Sequence, residues 1–541
     1  MTSAKCIGRV GQLLPKFVVE PVLMHYADRI GVIDGDQRFT NRETMERSFR
    51  LAHGLLDLGA KKGDHIGVVM PNIHEHIEAH YAIMGLGCPI ISINSRLAAE
   101  EVAYIINHSE STGLIVDWEY THLITPILDK IKDVKFIIIT SGGEKSSELE
   151  GVDYEELLAK SSSDFIDLTT LDDEDQLASI LYTSGTTARP KGAMLSYRAC
   201  WFRMLQHLEW VRPTINDVYL QIVPMFHSQA WGSIWTIPRA GGVNVCARYM
   251  DPEIILNIIR EHKVTCWCGA PAVANALRLH PDWEKTKWPE GAHVHFGGSP
   301  TPLPVLQALD EKGVRVYHNY GLTEWMFGAG TSQIAYLDEW DDLPLEKRVG
   351  KMARQGLSNF FGISKVIRKD GTEVKHDGEE MGEIIIKGDF GMGGYWKNPE
   401  GTAKVVVDGW FHSGDLAVVH PDGYLEIRDR LKDMILSGAE NIGSAEVERV
   451  VGIYPAVAEV AVIGVPHEKW GETPKAIVAL KEGETATEKE IIDFCRERLA
   501  HYKCPSSIEF VDNIPKTATG KIMKYVLREP YWKGFDKRVK G

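Results

Sequence analysis

The sequence lacks any apolar run long enough to cross a bilayer, and its cysteines show no spacing typical of a metal or redox site. A membrane helix needs about 20 apolar residues in succession, whereas the apolar 44% of this chain is spread over shorter runs. The eight cysteines are scattered, and the closest pair, Cys266 and Cys268, lacks the C-x-x-C spacing. The formal charge of −15 disfavours nucleic acid or an anionic membrane as the main partner, because either would favour a basic face. The N-terminal stretch is too polar for a secretory signal. We therefore expect a reduced, cytoplasmic protein without integral membrane association.

The chain has 541 residues, which is more than one hydrophobic core usually supports, so two or more domains are expected. Between residues 40 and 140, short apolar runs such as HIGVVMP and TGLIVD alternate with helical patterns, which predicts a parallel α/β sheet. The alternation returns near residues 251–277 and predicts a second α/β lobe. Beyond about residue 362, short runs between Gly and Asp turns predict a small β-barrel-like segment.

A new α+β unit follows the segment GYLEIRDRLKDMILSG, with the predicted order helix, strand, strand, helix, strand. We place the boundary at Lys432. The predicted fold is α/β, with a large N-terminal domain of two lobes and mixed or parallel sheets at residues 1–431. A small, mobile α+β domain follows at residues 432–541.

The segment richest in polar groups follows the apolar run LASILY. Its four hydroxyls, two glycines and a lysine lie in a predicted strand-ending loop, where they suit a polyphosphate. The residues that we expect to bind phosphate are Thr183, Ser184, Gly185, Thr186, Thr187 and Lys191. A solvated Ser/Thr-rich turn is the alternative, and the preceding buried strand disfavours it. Gly185 and Lys191 have Walker A spacing, but Pro190 and Gly192 replace the second Gly and the magnesium-binding Ser or Thr, which disfavours a P-loop NTPase.

Further polar segments follow in order along the chain: PMFHSQAWG at 224–232, YGLTE at 320–324, GWFHSGD at 409–415, RLKD at 430–433 with Ser437 and Gly438, and PKTATGK at 515–521. Together with TSGTTARPKGAM they resemble the AMP-forming acyl-CoA synthetases, a superfamily that includes peptide-synthetase adenylation domains and firefly luciferase. Each residue alone is more simply explained as core, turn or solvated surface; the ordered set overturns that explanation. Ala188 and Ala439 stand where glycine is commoner in the family, which puts the rate in doubt more than the activity.

This resemblance implies that ATP activates a carboxylic acid as its acyl-adenylate, with release of pyrophosphate, and that coenzyme A then accepts the acyl group. Mg²⁺ is the implied cofactor, with Glu324 as its ligand. The implied catalytic residues are Lys521, Thr323, Glu324 and Lys191. A cation about 4 Å from the reacting anions contributes roughly 4 kcal/mol at intermediate dielectric, which is the role expected of Lys521. Besides the phosphate loop, the implied nucleotide-binding residues are Gly297, Gly298, Ser299, Tyr320, Gly321, Asp415 and Arg430.

The sequence indicates the acyl site less clearly than the nucleotide site. The resemblance places His227, Trp231, Trp235, Trp325 and Gly438 along an acyl and coenzyme A tunnel, with Trp231 as gate. The alternative is an amphipathic helix that buries its tryptophans in the core. We rank a medium-to-long-chain fatty acid first, and leave aryl, branched and short-chain acids open. By the same resemblance, Lys432 is the hinge about which the small domain rotates.

Other functions use similar motifs. A carrier-loading adenylation enzyme is disfavoured because the chain ends soon after Lys521 without a carrier sequence, and no residue demands luciferase-like oxidation. A non-catalytic nucleotide sensor is disfavoured because Lys521, Glu324 and Lys191 are all present. A homodimer is left open. His76 and His80 invite a metal interpretation, but the segment lacks the HExxH order, so we expect exposed histidines on a solvated helix face.

Overall fold

Two seven-stranded sheets frame the N-terminal part of the chain in the computed structural model. The structure describes residues 16–140, 149–166, 173–183, 190–299, 301–325, 331–332, 340, 342–358, 362–437, 440–517 and 521–533. The helices are α1 (Lys16–His25), α2 (Asn41–Asp57), α3 (His74–Gly85), α4 (Ala99–His108), α5 (Thr121–Ile124), α6 (Tyr154–Lys160), α7 (Tyr197–Val211), α8 (Ser233–Ala240), α9 (Pro252–His262), α10 (Pro271–Leu279), α11 (Leu303–Glu311), α12 (Leu345–Met352), α13 (Pro399–Ala403), α14 (Ser444–Gly452), α15 (Glu488–Arg496) and α16 (Lys524–Trp532).

Each of the two large sheets is mostly parallel and has one antiparallel hairpin at its edge. The strands of the second sheet are β1 (Ile30–Asp34), β2 (Gln37–Thr40), β10 (Val218–Gln221), β11 (Val243–Cys246), β12 (Cys266–Gly269), β13 (His293–Phe296) and β14 (Arg315–His318). Those of the first are β3 (His65–Val69), β4 (Ile90–Ser92), β5 (Ser111–Val116), β6 (Phe136–Ile139), β7 (Val152–Asp153), β8 (Leu177–Thr183) and β9 (Lys191–Ser196). The orders are β7-β6-β5-β3-β4-β8-β9 and β14-β13-β12-β10-β11-β1-β2, parallel except for the edge hairpins β8–β9 and β1–β2. Both predicted α/β lobes are confirmed.

Smaller sheets follow. A two-stranded sheet pairs β15 (Thr331–Ser332) with β16 (Leu357–Ser358). The third sheet lies in the predicted barrel-like segment and is antiparallel. It contains β17 (Gly362–Ile367), β18 (Gly382–Gly388), β19 (Val406–Val407), β20 (Trp410–Val419) and β21 (Leu425–Arg430). The fourth sheet, in the small C-terminal domain, contains β22 (Ile435–Ser437), β23 (Glu440–Ile442), β24 (Val457–His467), β25 (Gly471–Leu480) and β26 (Ser507–Phe510).

Local sequence explains several helix boundaries. Thr40 and Glu43 form a capping box at the start of α2: the Thr40 hydroxyl accepts from the Glu43 N–H at 3.1 Å, and the Glu43 carboxylate accepts from the Thr40 N–H at 2.7 Å. Asp251 caps α9, whose first residue is Pro252, and proline suits this position because its missing N–H would lack a partner anyway. Within the described residues, every helix is too short or too polar to cross a membrane.

Helix α3 lies buried where the two lobes meet, and every one of its residues is buried. Tyr81 donates to the carbonyl of Ile234 on α8 at 2.9 Å, which ties α3 to the second lobe. The expectation of exposed histidines was therefore wrong. His76 and His80 are fully buried with stacked rings 5.1 Å apart, and burial lowers their pKa values to about 3 and about 4. Both imidazoles are neutral at pH 7 because charging them in the core would lose hydration.

A short turn at residues 431–433 joins the third sheet to the fourth. The N–H of Leu431 donates to the carbonyl of Gly414 at 2.8 Å, and the N–H of Asp433 donates to the carbonyl of Arg430 at 2.9 Å. Lys432 thus lies between β21 and β22, which belong to different sheets. This location agrees with the predicted boundary at Lys432, which stays a prediction.

Candidate functional site

The predicted phosphate loop connects two antiparallel strands. Thr183 ends β8 and pairs in register with Lys191, the first residue of β9. Residues Ser184 to Thr187 lie outside the described residues. A Walker loop leads from a strand into a helix, whereas this loop leads into a second strand, which agrees with the exclusion of a P-loop NTPase. The Lys191 ammonium lies 4.9 Å from the centre of the Tyr395 ring, within cation–π range.

Thr323 and Glu324 follow β14 and are held by three neighbours. The Tyr395 hydroxyl donates to Glu324 Oε1 at 2.7 Å, and the Met392 N–H donates to the Glu324 carbonyl at 2.8 Å. The Arg203 guanidinium on α7 donates to the Thr323 carbonyl at 3.1 Å. The backbone and the carboxylate of Glu324 therefore have defined positions.

Sequence reasoning missed Arg203 and Tyr395. Arg203 is 1% exposed, and burial lowers its pKa to about 10, so it stays a cation at neutral pH. It shares a helix face with the buried Cys200 and His207, and a charged residue on an otherwise buried face was the available indication. Tyr395 lies outside every segment singled out from the sequence, and only the fold brings it to Glu324.

Three of the predicted nucleotide-binding residues are joined by a hydrogen bond and an ion pair. Tyr320 donates to Asp415 Oδ2 at 2.7 Å, while Arg430 Nε lies 3.2 Å from Asp415 Oδ1. Asp415 and Arg430 are register partners on β20 and β21. Burial and the Asp415 carboxylate raise the pKa of the Tyr320 hydroxyl, which therefore remains a donor. The structure thus brings Tyr320 to Asp415, 95 positions further along the sequence.

Gly297, Gly298 and Ser299 follow β13, and Lys521 of the small domain reaches them. Gly298 has φ +88°, and a Cβ placed there would lie 3.1 Å from Lys521 Cε. A larger residue would therefore strain the backbone and crowd the lysine. The Ser299 carbonyl is 3.1 Å from His318 Nε2, which fixes the end of this segment. Gly321 follows Tyr320 directly in the sequence.

Lys521 lies in a mixed electrostatic environment. Burial, Arg430 and Lys432 lower the pKa of its ammonium group, Asp415 and Glu324 oppose them, and the result is about 8. The Lys521 N–H donates to the Thr517 hydroxyl at 3.1 Å, and the Thr517 N–H donates to the Lys521 carbonyl at 2.7 Å. The ends of this loop are therefore tied together, and the lysine is directed towards the large domain.

The predicted tunnel residues separate into two groups. Burial and the Lys521 charge lower the pKa of His227 to about 3, so its imidazole is neutral at pH 7. The Trp231 ring lies against Gly297, where an added Cβ would be 3.1 Å from it. Trp235, in contrast, packs on Tyr81 at 4.7 Å in the core, as the alternative interpretation had it. Trp325 is likewise buried, and it stacks on Phe411 at 5.2 Å.

Trp231 belongs to a left-handed turn rather than to a helix shared with Trp235. Residues 228–231 have φ between 51° and 62°, and Gly232 follows at 91°. Left-handed backbone costs non-glycine residues roughly 1–2 kcal/mol each, and such strain persists only where the surroundings fix it. All five residues are buried. The turn holds the Trp231 ring against Gly297. Gly438, the other tunnel residue, lies outside the described residues.

Comparison with known proteins agrees with this arrangement. The AMP-binding enzyme family model matches residues 20–396, and the model of the AMP-binding enzyme C-terminal domain matches residues 446–521. A probable CoA ligase of Humulus lupulus is 40% identical, with 96% of this chain and 94% of the relative covered. A 2-methylpropanoate–CoA ligase of the same plant is 37% identical, covering 96% and 95%. A 4-hydroxybutyrate–CoA ligase of Metallosphaera sedula is 37% identical, covering 95% and 94%.

Solved structures show the same fold. An anthranilate CoA ligase in complex with anthranoyl-AMP superposes with a TM-score of 0.85 at 23% identity, covering 95% of this chain and 97% of that one. The Mycobacterium tuberculosis fatty acyl CoA synthetase superposes with a TM-score of 0.71 at 30% identity, with the same coverage.

Proposed function

Because the chain belongs to the AMP-binding enzyme family, in which its relatives are named CoA ligases, we propose that it activates a carboxylic acid with ATP and transfers the acyl group to coenzyme A. The observation that supports this most directly is the position of Lys521. This residue of the small domain lies beside Gly298 and interacts electrostatically with Asp415 and Glu324 of the large domain. The two domains thus build one site for an anionic acid and an anionic nucleotide.

In the first step, a carboxylate oxygen attacks the α-phosphorus of ATP, the bond to the bridging oxygen breaks, and pyrophosphate leaves. Both reactants are anions, so the Lys521 ammonium favours their approach. We assign to Asp415 the role of accepting hydrogen bonds from the ribose hydroxyls. In the second step, the coenzyme A thiolate attacks the acyl carbonyl carbon of the adenylate, and AMP leaves with the electron pair of the acyl–oxygen bond.

The residues present fit Mg²⁺. Glu324 offers a carboxylate oxygen next to the Thr323 hydroxyl, and Mg²⁺ commonly takes one or two carboxylates together with substrate phosphates and water. When bound, the ion would neutralise phosphate charge. Tyr395 orients the carboxylate through its 2.7 Å hydrogen bond.

For the acid, we propose a short or branched acyl chain. The Trp231 ring contacts Gly297, and Lys521 contacts the next residue, Gly298. Since neighbouring Cα atoms are about 3.8 Å apart, the ring lies within a few bonds of the reacting carboxylate. The names of the 2-methylpropanoate and 4-hydroxybutyrate relatives support this class. The medium-to-long fatty acid expected from the sequence is the second candidate, supported by the fatty acyl CoA synthetase structure, and it requires the Trp231 ring to move.

Lys521 occupies the adenylation site, so thioester formation requires a different position of the small domain. We propose that residues 432–541 rotate about the turn at Lys432 between the two steps. The turn supports this because it lies between two independently paired sheets.

A screen tests the proposal. Pyrophosphate release is measured with acids from acetate to palmitate, including branched acids, benzoates and cinnamates, and the acyl-CoA product is then identified. We expect the highest kcat/KM with short or branched acids. A maximum at palmitate would overturn the substrate class, and the absence of pyrophosphate with every acid would overturn the activity.

A further inference from the structure

A polar interface joins β21 of the third sheet to the first turns of α14 in the small domain. Glu426 is 6% exposed, and its Oε1 accepts from an Arg449 amino group at 2.5 Å. Asp429 accepts from the Ser444 N–H at 2.6 Å, where the start of a helix favours a carboxylate. A Cβ at Gly443 would lie 3.3 Å from the Arg428 carbonyl, so the helix start rests directly on the strand.

Glu426 also has partners on its own side of the interface. Its Oε2 lies 2.8 Å from His420 Nε2 and 3.1 Å from an Arg428 amino group. Burial would raise the pKa of Glu426, but His420, Arg449 and Arg428 outweigh it and lower the pKa to about 2. The carboxylate is therefore ionised at neutral pH and remains paired if Arg449 departs.

Both partners can separate without stranding a buried charge. The Arg449 side chain is 34% exposed and would be hydrated after release, whereas Glu426 would keep His420 and Arg428. Asp429 likewise keeps a hydrogen bond from the Arg430 N–H at 2.7 Å. Unpaired buried charges make an interface hard to open, and this interface avoids them.

We propose that Arg449 is a positioning residue for adenylation: its contact with Glu426 holds the small domain in the orientation that places Lys521 beside Gly298, and the contact opens when the domain turns for thioester formation. This inference rests on the proposed function. Arg449 and Glu426 then set the ratio of the two half-reaction rates without touching either substrate. Arg449 and Lys521 belong to the same small domain, so loosening one contact changes how often the other is made.

The ratio of the two half-reaction rates is the informative quantity. When the two orientations exchange faster than either reaction, each rate is proportional to the population of its own orientation. Their ratio then follows the equilibrium constant between the orientations. Loss of a charge-assisted hydrogen bond with a partly exposed partner changes such a constant by about tenfold.

Arg449→Ala, Glu426→Gln and the double variant are compared with the wild type. Adenylation is measured by exchange of labelled pyrophosphate into ATP without coenzyme A, and thioester formation by single turnover of pre-made acyl-adenylate with coenzyme A. The matched control is Arg496→Ala on α15, because Arg496 pairs at 2.9 Å with Asp493 on its own helix, and both side chains are about half exposed.

We expect the ratio of adenylation to thioester formation to fall about tenfold in each single variant. The double variant should fall no further, because both changes remove the same contact, and Arg496→Ala should keep the wild-type ratio. Equal losses in both steps, or an unchanged ratio in Arg449→Ala and Glu426→Gln, would overturn the inference. A wild type without pyrophosphate exchange would instead overturn the proposed function.

Discussion

Replacing Lys521 should slow adenylation strongly. It should also remove the decline of the adenylation rate at alkaline pH. At about 4 Å and an effective dielectric of about 20, one ammonium group stabilises an adjacent anion by about 4 kcal/mol, which corresponds to about a thousandfold in rate. Lys521→Ala should therefore reduce adenylation about a thousandfold. Thioester formation from pre-made acyl-adenylate should be largely unaffected, because Lys521 acts in the first step.

The pH dependence follows from the pKa of Lys521, which is about 8. The ammonium form is the active one, so kcat/KM for ATP in adenylation should be constant below pH 8 and should fall about tenfold per pH unit above it. In Lys521→Arg the cation persists, since the guanidinium pKa exceeds about 12, and this alkaline decline should disappear even if the altered geometry lowers the rate.

The assay is pyrophosphate exchange between pH 6 and 10 for the wild type, both variants and Lys489→Ala. Lys489 is an exposed lysine on α15 and controls for the loss of one positive charge from the small domain. A loss below about tenfold in Lys521→Ala would refute the electrostatic reasoning. An unchanged alkaline decline in Lys521→Arg would show that another group titrates.

Three further predictions concern other parts of the molecule. Trp231→Ala should extend the accepted acyl chain, since the ring no longer fills the space against Gly297, and a chain-length profile identical to the wild type would assign Trp231 to the core alone. Tyr395→Phe removes the hydrogen bond to Glu324 and should raise the Mg²⁺ concentration for half-maximal rate by about tenfold or more; an unchanged Mg²⁺ titration would contradict the role of Glu324. Because the pKa values of His76 and His80 are lowered in the fold to about 3 and about 4, the unfolded chain binds more protons below pH about 6.5, and stability is lost as pH falls from there, by up to about 1.4 kcal/mol per pH unit for each histidine. Urea unfolding at pH 7 and pH 5 should show a smaller loss in the His76→Leu/His80→Leu variant, and an equal loss would place the acid sensitivity elsewhere.

The sheets were predicted correctly from the sequence, whereas the burial of α3 was not. In both cases the element is covered on all sides. Parallel strands are covered on both faces, so both β3 and β5 end in apolar residues without the alternation typical of a half-exposed strand. α3 is covered on all sides, yet its sequence carries His76, Glu78 and His80, because their polar atoms find partners or tolerate neutral burial. Periodicity describes one face of an element and cannot show that a second lobe covers the other.

Ordered motifs indicated the candidate site residues, but not how they contact each other. The hydrogen bond from Tyr320 to Asp415 joins the segment after β14 to β20 of the third sheet, and it depends on the complete fold. The spacing of Trp231 and Trp235 imitates a helical turn, and nothing in the residue types announces the left-handed backbone at Trp231. The magnesium requirement and the cytoplasmic location stay predictions, and the homodimer stays open.

An isotope experiment tests whether the carboxylate itself attacks the α-phosphorus of ATP. The acid is labelled with ¹⁸O in its carboxylate and incubated with enzyme, ATP, Mg²⁺ and coenzyme A for one turnover, after which the nucleotide and phosphate products are analysed by mass spectrometry. If the carboxylate attacks the α-phosphorus, one ¹⁸O atom appears in AMP and none in pyrophosphate. Formation of ADP with ¹⁸O in inorganic phosphate would show attack on the γ-phosphorus, and would contradict the adenylate mechanism.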